Sequence, residues 1–221
     1  MNNQQTALTP LVIWGASGHA RVVADIIRLT KNFEIVGFID DVNPDRQASE
    51  FCGAKILGGQ ETLAQLRRAG VQHLIVGIGD CQARLRLSAI AQSLGFELTI
   101  AVHPKAIVAQ DVTIGAGTVV AAGAVINPAT KIGENVIVNT SASVDHDCRI
   151  EHGVHIGPGV HIGGGVSVGQ ASWVGIGVTI KDKIKIGRNT IIGAGAVVLT
   201  DIPDGVIAFG VPAKVQRNLE A

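Results

Sequence analysis

The chain has 221 residues with 18 lysines and arginines against 18 aspartates and glutamates, so it carries no formal net charge. That balance argues against nucleic acid or an anionic membrane as the main partner, and no apolar run reaches the length needed to span a bilayer. Aromatic residues are only 3% with no Tyr, as expected of a thin aliphatic interior, and the length suits a repeat array joined to one domain of about a hundred residues.

The polar start, Met1 to Thr6, lacks the basic and apolar regions of a signal peptide. Leu11 to Trp14 then reads as a short strand ending in Gly15-Ala16-Ser17-Gly18-His19, followed by a helical pattern through about Leu29. Glu34 to Ile39 is a second strand, ending at Asp40-Asp41. Gln60 to Ala69 reads as a helix stopped by Gly70, His73 to Ile78 as a strand closed by Gly79-Asp80, and Gln82 to Leu94 as a helix stopped by Gly95. A last strand, Glu97 to Val102, leads into His103-Pro104. Alternating strands and helices make residues 1–103 a small, parallel, Rossmann-like α/β domain. In such sheets a ligand sits beyond the carboxyl ends of the strands, where glycine turns bring backbone amides to a phosphate. Gly15 and Gly18 occupy one such turn, and Asp40 or Asp41 ends the next strand, where a carboxylate can accept bonds from a ribose or base. The full G-x-G-x-x-G is missing, which argues against dinucleotide redox chemistry, and the turn alone fits structural packing as well as nucleotide-type binding.

From Val108 to Val198 every sixth residue is Ile or Val without interruption. The residue two places earlier is mostly small or β-branched, as at Thr118, Ala124, Thr130, Ala142, Cys148, Ser172, Thr190 and Ala196. A period of six matches neither a helix nor a simple strand, and it makes residues 104–221 a β-solenoid in which each repeat supplies one short strand and one turn. Gly or Asn often follows the aliphatic residue, and these are expected to take corners that need positive φ. A β-sandwich would lose this phase within two or three repeats. After Asp201-Ile202-Pro203-Asp204-Gly205, the segment Gly210-Val211-Pro212-Ala213-Lys214 is expected in extended form, with a short helix or frayed end after Val215.

The repeat resembles the hexapeptide-repeat acyltransferases, whose left-handed parallel β-helix is a three-sided prism with three hexads to a coil. Positions 18 apart would then stack, giving about five coils. The head turn, Phe38-Ile39-Asp40-Asp41, Asn139-Thr140, Val144-Asp145-His146-Asp147-Cys148 and Gly210-Val211-Pro212-Ala213-Lys214 together look like sugar acetyltransferases of the sialic acid O-acetyltransferase and bacillosamine-pathway type, from about residue 11 to residue 215. That resemblance implies an acetyl-CoA-dependent enzyme with His146 as general base and Asp147 holding it; some relatives carry Glu at the latter position. It also implies acetyl-CoA contacts at His155, Gly164, Ile176 and Lys214, and an acceptor site using Ser17, Gly18, His19, Asp40, Asp41 and Gly79, with Asn139 as an orienting candidate.

The chemistry agrees. Acetyl transfer from a thioester to an amine or hydroxyl releases a proton, so a histidine fixed by a carboxylate suits the base, and glycine corners present amides to the tetrahedral oxyanion. His146 and His155 lie half a coil apart, so within one chain they occupy different parts of the prism; they would meet at one acetyl group across chains, and the resemblance implies a homotrimer with three sites at subunit clefts. Cys148 falls on an inward position and reads as core, while His152 and His161 read as solvated. The three cysteines are scattered without metal-ligand spacing, which favours a reducing cytoplasm. The zinc carbonic anhydrases that share such a prism use histidines 36 residues apart; here Gln110, Ala116 and Val119 precede His146, His152 and His155 by that interval, so no metal is expected. The expected reaction is N-acetylation of a nucleotide-linked 4-amino-dideoxy sugar for surface glycan synthesis, with sugar O-acetylation and a non-catalytic nucleotide-sugar-binding scaffold as alternatives.

Overall fold

The structure, a computed structural model, describes residues 8–219; the expectation for the polar start at Met1 to Thr6 lies outside the described residues. The head contains β1 (Thr9–Trp14), α1 (Gly18–Thr30), β2 (Phe33–Ile39), β3 (Glu50–Phe51), β4 (Ala54–Gly58), α2 (Leu63–Arg68), β5 (His73–Val76), α3 (Cys81–Ser93) and β6 (Glu97–Leu98). Its sheet has the order β3-β4-β2-β1-β5-β6, with the chain reversing its winding between β1 and β5. That reversal opens a crevice at the strands' carboxyl ends, where Gly15 sits at φ 128° and a side chain would strike the Gly77 carbonyl at 2.9 Å. The sheet is not wholly parallel as expected: β3 pairs antiparallel with β4, in a stretch whose polar run Asn43–Glu50 hides the strand signal. The helix expected from Gln60 begins instead as a single 3-10 turn, Gln60–Thr62.

The solenoid follows its sequence period closely. Each repeat places the sixth-position aliphatic at the second residue of a two-residue strand, and strands 18 residues apart pair in parallel, for example Ile137 with His155 and Val138 with Ile156. Three sheets result. Sheet I runs from Ala101–Val102 through Ile137–Val138, His155–Ile156, Trp173–Val174 and Ile191–Ile192. Sheet II runs from Ile107–Val108 through Ser143–Val144 and His161–Ile162 to Val197–Val198. Sheet III runs from Thr113–Ile114 through Arg149–Ile150 to Lys185–Ile186, completing a left-handed parallel β-helix. The aliphatic columns, with Ala124, Ala142 and Cys148, form one continuous core. Each fully buried Ile or Val there contributes about 1.5–3 kcal/mol, so a single break in the period is costly. Buried hydroxyls are satisfied between coils: Thr130 donates to the Asp145 carbonyl and accepts from the Cys148 amide.

Three further expectations need correction. From Ile114 to Ile192 positive φ falls three residues after each aliphatic, at Gly153, Gly165, Asn135, Ser141, Asp147 and Lys183 among others, not on the residue immediately following. The glycines just after the aliphatics have another cause: a Cβ at Gly163 would lie 2.7 Å from the Asp182 amide nitrogen of the next coil. The strand expected over Glu97 to Val102 is divided, with Glu97–Leu98 pairing with β5 in the head and Ala101–Val102 pairing with Val119–Val120 in sheet I. At the other end no helix forms after Val215. Val206–Gly210 adds to sheet I, the chain turns at Val211-Pro212, and Ala213–Asn218 returns antiparallel along it, because pairing with an open strand edge outweighs the weak preferences of Gln216, Arg217 and Asn218.

The outward face of sheet I is unusually apolar and seats the head. Ala101, Val119 and Ala121 pack with Ala20, Val23, Ala24 and Ile27 of α1. Sheet III by contrast presents Lys131, Arg149 and Lys185 to water.

Candidate active site

Residues expected in the site fall into three groups on the chain. The first lies at the corner joining sheet II to sheet III. There Asp147 adopts a left-handed backbone (φ 57°) and its carboxylate accepts the His146 Nδ1 proton at 2.7 Å. Both side chains are largely exposed, at 61% and 67%. Asp145 accepts bonds from the His146 amide and from Asn127 Nδ2, which fixes the loop from the other side and holds its own carboxyl below the usual range. The hydrogen bond to Asp147, then the charge of Asp145, raise the His146 pKa above the ordinary histidine value. With Nδ1 occupied, Nε2 carries the free lone pair. The ring lies over Gly164, where a Cβ would come within 2.7 Å of Cε1 and Nε2. Cys148 beside it points inward, is 2% exposed, and its thiol pKa is raised by burial, so it is no nucleophile.

A pH profile tests this pair. Because Asp147 raises the pKa of the group that must be unprotonated, Asp147→Asn is expected to move the acid limb of kcat/KM to lower pH. Water can replace the bond at such an exposed carboxylate, so the maximal rate should fall about tenfold, well short of the roughly 10⁴ that a buried triad loses. An acid limb that stays in place would remove Asp147 as the partner.

The second group lines a cleft of about 360 Å³ at the carboxyl ends of β1 and β2, formed by Gly15, Ser17, Asp40, Asp41, Asn43 and Arg46 among others. The volume is in the range of small-molecule sites. Ser17 is the N-cap and Gly18 the first residue of α1, whose first turn has neither a side-chain cap nor an acidic residue, so its orphan amides remain available to an anion. The two aspartates differ. Asp40 is 7% exposed and its oxygens are taken by the Val42 and Asn43 amides, Asn43 Nδ2 and Arg46, leaving it to shape the cleft rather than bind. Among the described residues Asp41 accepts only from Trp14 Nε1 and the Gln60 amide, so lone pairs remain for a ligand. Asn43 and Arg46 were not evident from sequence, since a polar loop gives no sign of folding back over the cleft.

The third group lies between head and prism. His155, on sheet I and 6% exposed, donates Nδ1–H to the Gly79 carbonyl (3.1 Å), faces Asn139 Nδ2 through Nε2 (3.3 Å), stacks on Trp173 with centroids 4.5 Å apart, and has His19 beside it at 6.3 Å. Burial lowers His155 to a pKa of about 4 and His19 to about 3, so both are neutral rings at physiological pH. His19 Nε2 is sealed from water without a partner among the described residues. Thus His155 is brought to Gly79, His19 and Asn139 but not to Gly164, which sits on a different edge of the prism. Ile176 is 62% exposed on the corner after sheet I, and Lys214 is exposed on the tail hairpin. His152 and His161 are exposed, the latter bonded to Ser143 Oγ. Among the described residues no cluster of His, Cys, Asp and Glu is arranged to hold a metal, and no helix is long and apolar enough to cross a membrane.

Comparison with known proteins follows the same division. The family profile of the PglD N-terminal domain matches residues 10–90, and that of the bacterial transferase hexapeptide repeat matches residues 129–164 and 165–200. Galactoside O-acetyltransferase of Lactococcus lactis is 49% identical over 47 residues, which is 21% of this chain and only 23% of that protein. Solved structures match far more. Perosamine N-acetyltransferase of Caulobacter crescentus, solved with CoA and GDP-perosamine, is 40% identical over 96% of this chain and 99% of its own, with a TM-score of 0.91. The acetyltransferase domain of PglB from Neisseria gonorrhoeae, solved with acetyl coenzyme A, is 36% identical over 95% and 100%, with a TM-score of 0.88. Identity sustained over both the head and the prism means that the chain belongs to the hexapeptide-repeat sugar acetyltransferases.

Proposed function

We propose that the chain transfers the acetyl group of acetyl-CoA directly to the 4-amino group of a nucleotide-linked 4-amino-4,6-dideoxy sugar, in surface glycan synthesis. The observation that carries this reading is His146, its Nδ1 proton engaged by Asp147 and its Nε2 left free above Gly164. Nε2 takes the proton that the amine loses as it attacks the thioester carbon, a backbone amide of a glycine corner such as Gly164 receives the oxyanion, and the thiolate leaves as the carbonyl re-forms. The head holds the nucleotide at the α1 N-terminus and Asp41, and the prism, which begins with the Ala101–Val102 strand, holds the acetyl donor along His155, Gly164, Ile176 and Lys214. The similar proteins solved with CoA and with GDP-perosamine support both ligand classes. Since the His146 corner and the His155 face lie on different parts of one prism, the complete site is formed between chains of a homotrimer. Three unpaired cysteines suit a reducing compartment, the cytoplasm.

The test is thiol release from acetyl-CoA with UDP-, GDP- and dTDP-linked 4-amino sugars and their 4-hydroxy counterparts, alongside the solution mass. Turnover with one aminosugar by a trimer is expected. Turnover only with hydroxyl acceptors would make the protein an O-acetyltransferase, no turnover with any of them would leave a binding scaffold, and full activity in a monomer would remove the shared site.

A further inference from the structure

Arg84 is fully buried in α3, yet among the described residues no carboxylate meets its guanidinium. Its donors go to backbone carbonyls on both sides of the junction. Nε bonds Asn135 O at 2.7 Å and Nη2 bonds Gly153 O at 2.7 Å in the prism, while Nη1 bonds Ile78 O at 3.0 Å and Gly79 O at 2.8 Å in the head. Burying a cation this way is costly, and an apolar side chain of similar volume would fill the space at lower cost. What the guanidinium adds is direction. The Gly79 carbonyl that it holds is the same one that accepts the His155 Nδ1 proton.

The chain of bonds then has only one sense. With Nδ1 protonated, His155 Nε2 must accept, and it accepts from Asn139 Nδ2. Asn139 Oδ1 meanwhile accepts the Thr140 amide at 2.8 Å, so the carboxamide cannot flip. Among the described residues one Asn139 N–H is left over, on a half-buried corner one repeat before the corner that carries His146. We infer that Arg84 is a positioning residue for the acetyl transfer, acting through the Gly79 carbonyl and His155 to aim the Asn139 carboxamide at the acceptor. This rests on the reading that Asn139 borders the acceptor. The ionisable groups around His155 agree with a fixed neutral ring: His19 from α1 is itself neutral, Cys81 at the start of α3 is a buried thiol, and Asp80 is spent on capping the Ala83 amide.

The experiment combines imidazole ¹⁵N NMR of the unliganded protein, which reports the His155 tautomer, with steady-state kinetics and thermal melting of Arg84→Lys. A lysine keeps the charge but cannot reach both sides of the junction. The expected result is a single Nδ1–H tautomer in wild type, a mixture in the variant, and kcat lower by about tenfold at unchanged KM for acetyl-CoA, below the 10²-fold that a misplacement of about 1 Å can cost. A folded variant with wild-type kcat, or with an unchanged tautomer, overturns the inference. Should Arg84→Lys fail to fold, Asn139→Ser breaks the last link without touching the buried clamp; the same loss in kcat supports the inference and a wild-type kcat overturns it. An inactive wild type whose His155 signal still becomes mixed in Arg84→Lys supports the bond relay and instead sinks the assigned reaction.

Discussion

Replacing His146 with alanine is expected to lower kcat by about 10²- to 10⁴-fold, the range that a positioned general base supplies. The imidazole is well placed for a large share of it. Its tautomer is fixed by Asp147, its backbone amide is tied to Asp145, and its free nitrogen faces the open corner over Gly164. The fold should not notice the change, because the side chain is 61% exposed and belongs to none of the hydrophobic cores. Melting temperature and solution mass should therefore match wild type, and single-turnover acetyl transfer from pre-bound acetyl-CoA should carry the whole loss. Because the unprotonated ring is the active form and its pKa is raised, wild-type kcat/KM should fall on the acid side from above pH 6.5, and that limb should vanish in the variant. A wild-type rate would remove His146 from the mechanism and leave the amine to lose its proton to water.

The prism was legible because its cause is local and repeated. A residue pointing inward at each sixth position must be β-branched and apolar, so the period, the strands and the 18-residue register all follow from one column of Ile and Val. The left-handed corner position was not legible, since Gly, Ala, Asn, Ser, Asp and Lys all occupy it and the visible glycines answer to close coil spacing instead. The His146-Asp147 pair was readable as adjacent residues of complementary chemistry. Arg84 was not. In the run Ala83-Arg84-Leu85-Arg86 it reads as a solvated helix residue, and only the convergence of carbonyls from Ile78–Asp80, Asn135 and Gly153, remote in sequence, shows why it is buried. The ends of the prism were equally opaque: Ala101–Val102 and the tail hairpin are fixed by the strand edges they complete rather than by their own residues.

Gly164→Ala should separate the position of the base from its identity. Gly164 carries no restricted φ, so alanine is acceptable to the backbone there, unlike Gly165 beside it at φ 67°. The added methyl nevertheless lands 2.7 Å from both Cε1 and Nε2 of His146, well inside van der Waals contact. Since the imidazole is the mobile partner and faces solvent, the ring will swing aside instead of the coil deforming, so stability should change little while the base moves by about 1 Å or more. Such a displacement costs on the order of 10²-fold in kcat. Most of the loss should appear in kcat, and the bond to Asp147 should be lost or lengthened with it, so the acid limb of the pH profile should shift downward as the raised pKa relaxes toward that of a free histidine. The signature is an enzyme with every catalytic side chain present, an unchanged melting temperature, and a rate within reach of His146→Ala. Wild-type turnover in folded Gly164→Ala would mean that the base works from another rotamer, and the resting contact over Gly164 would then have no part in the chemistry.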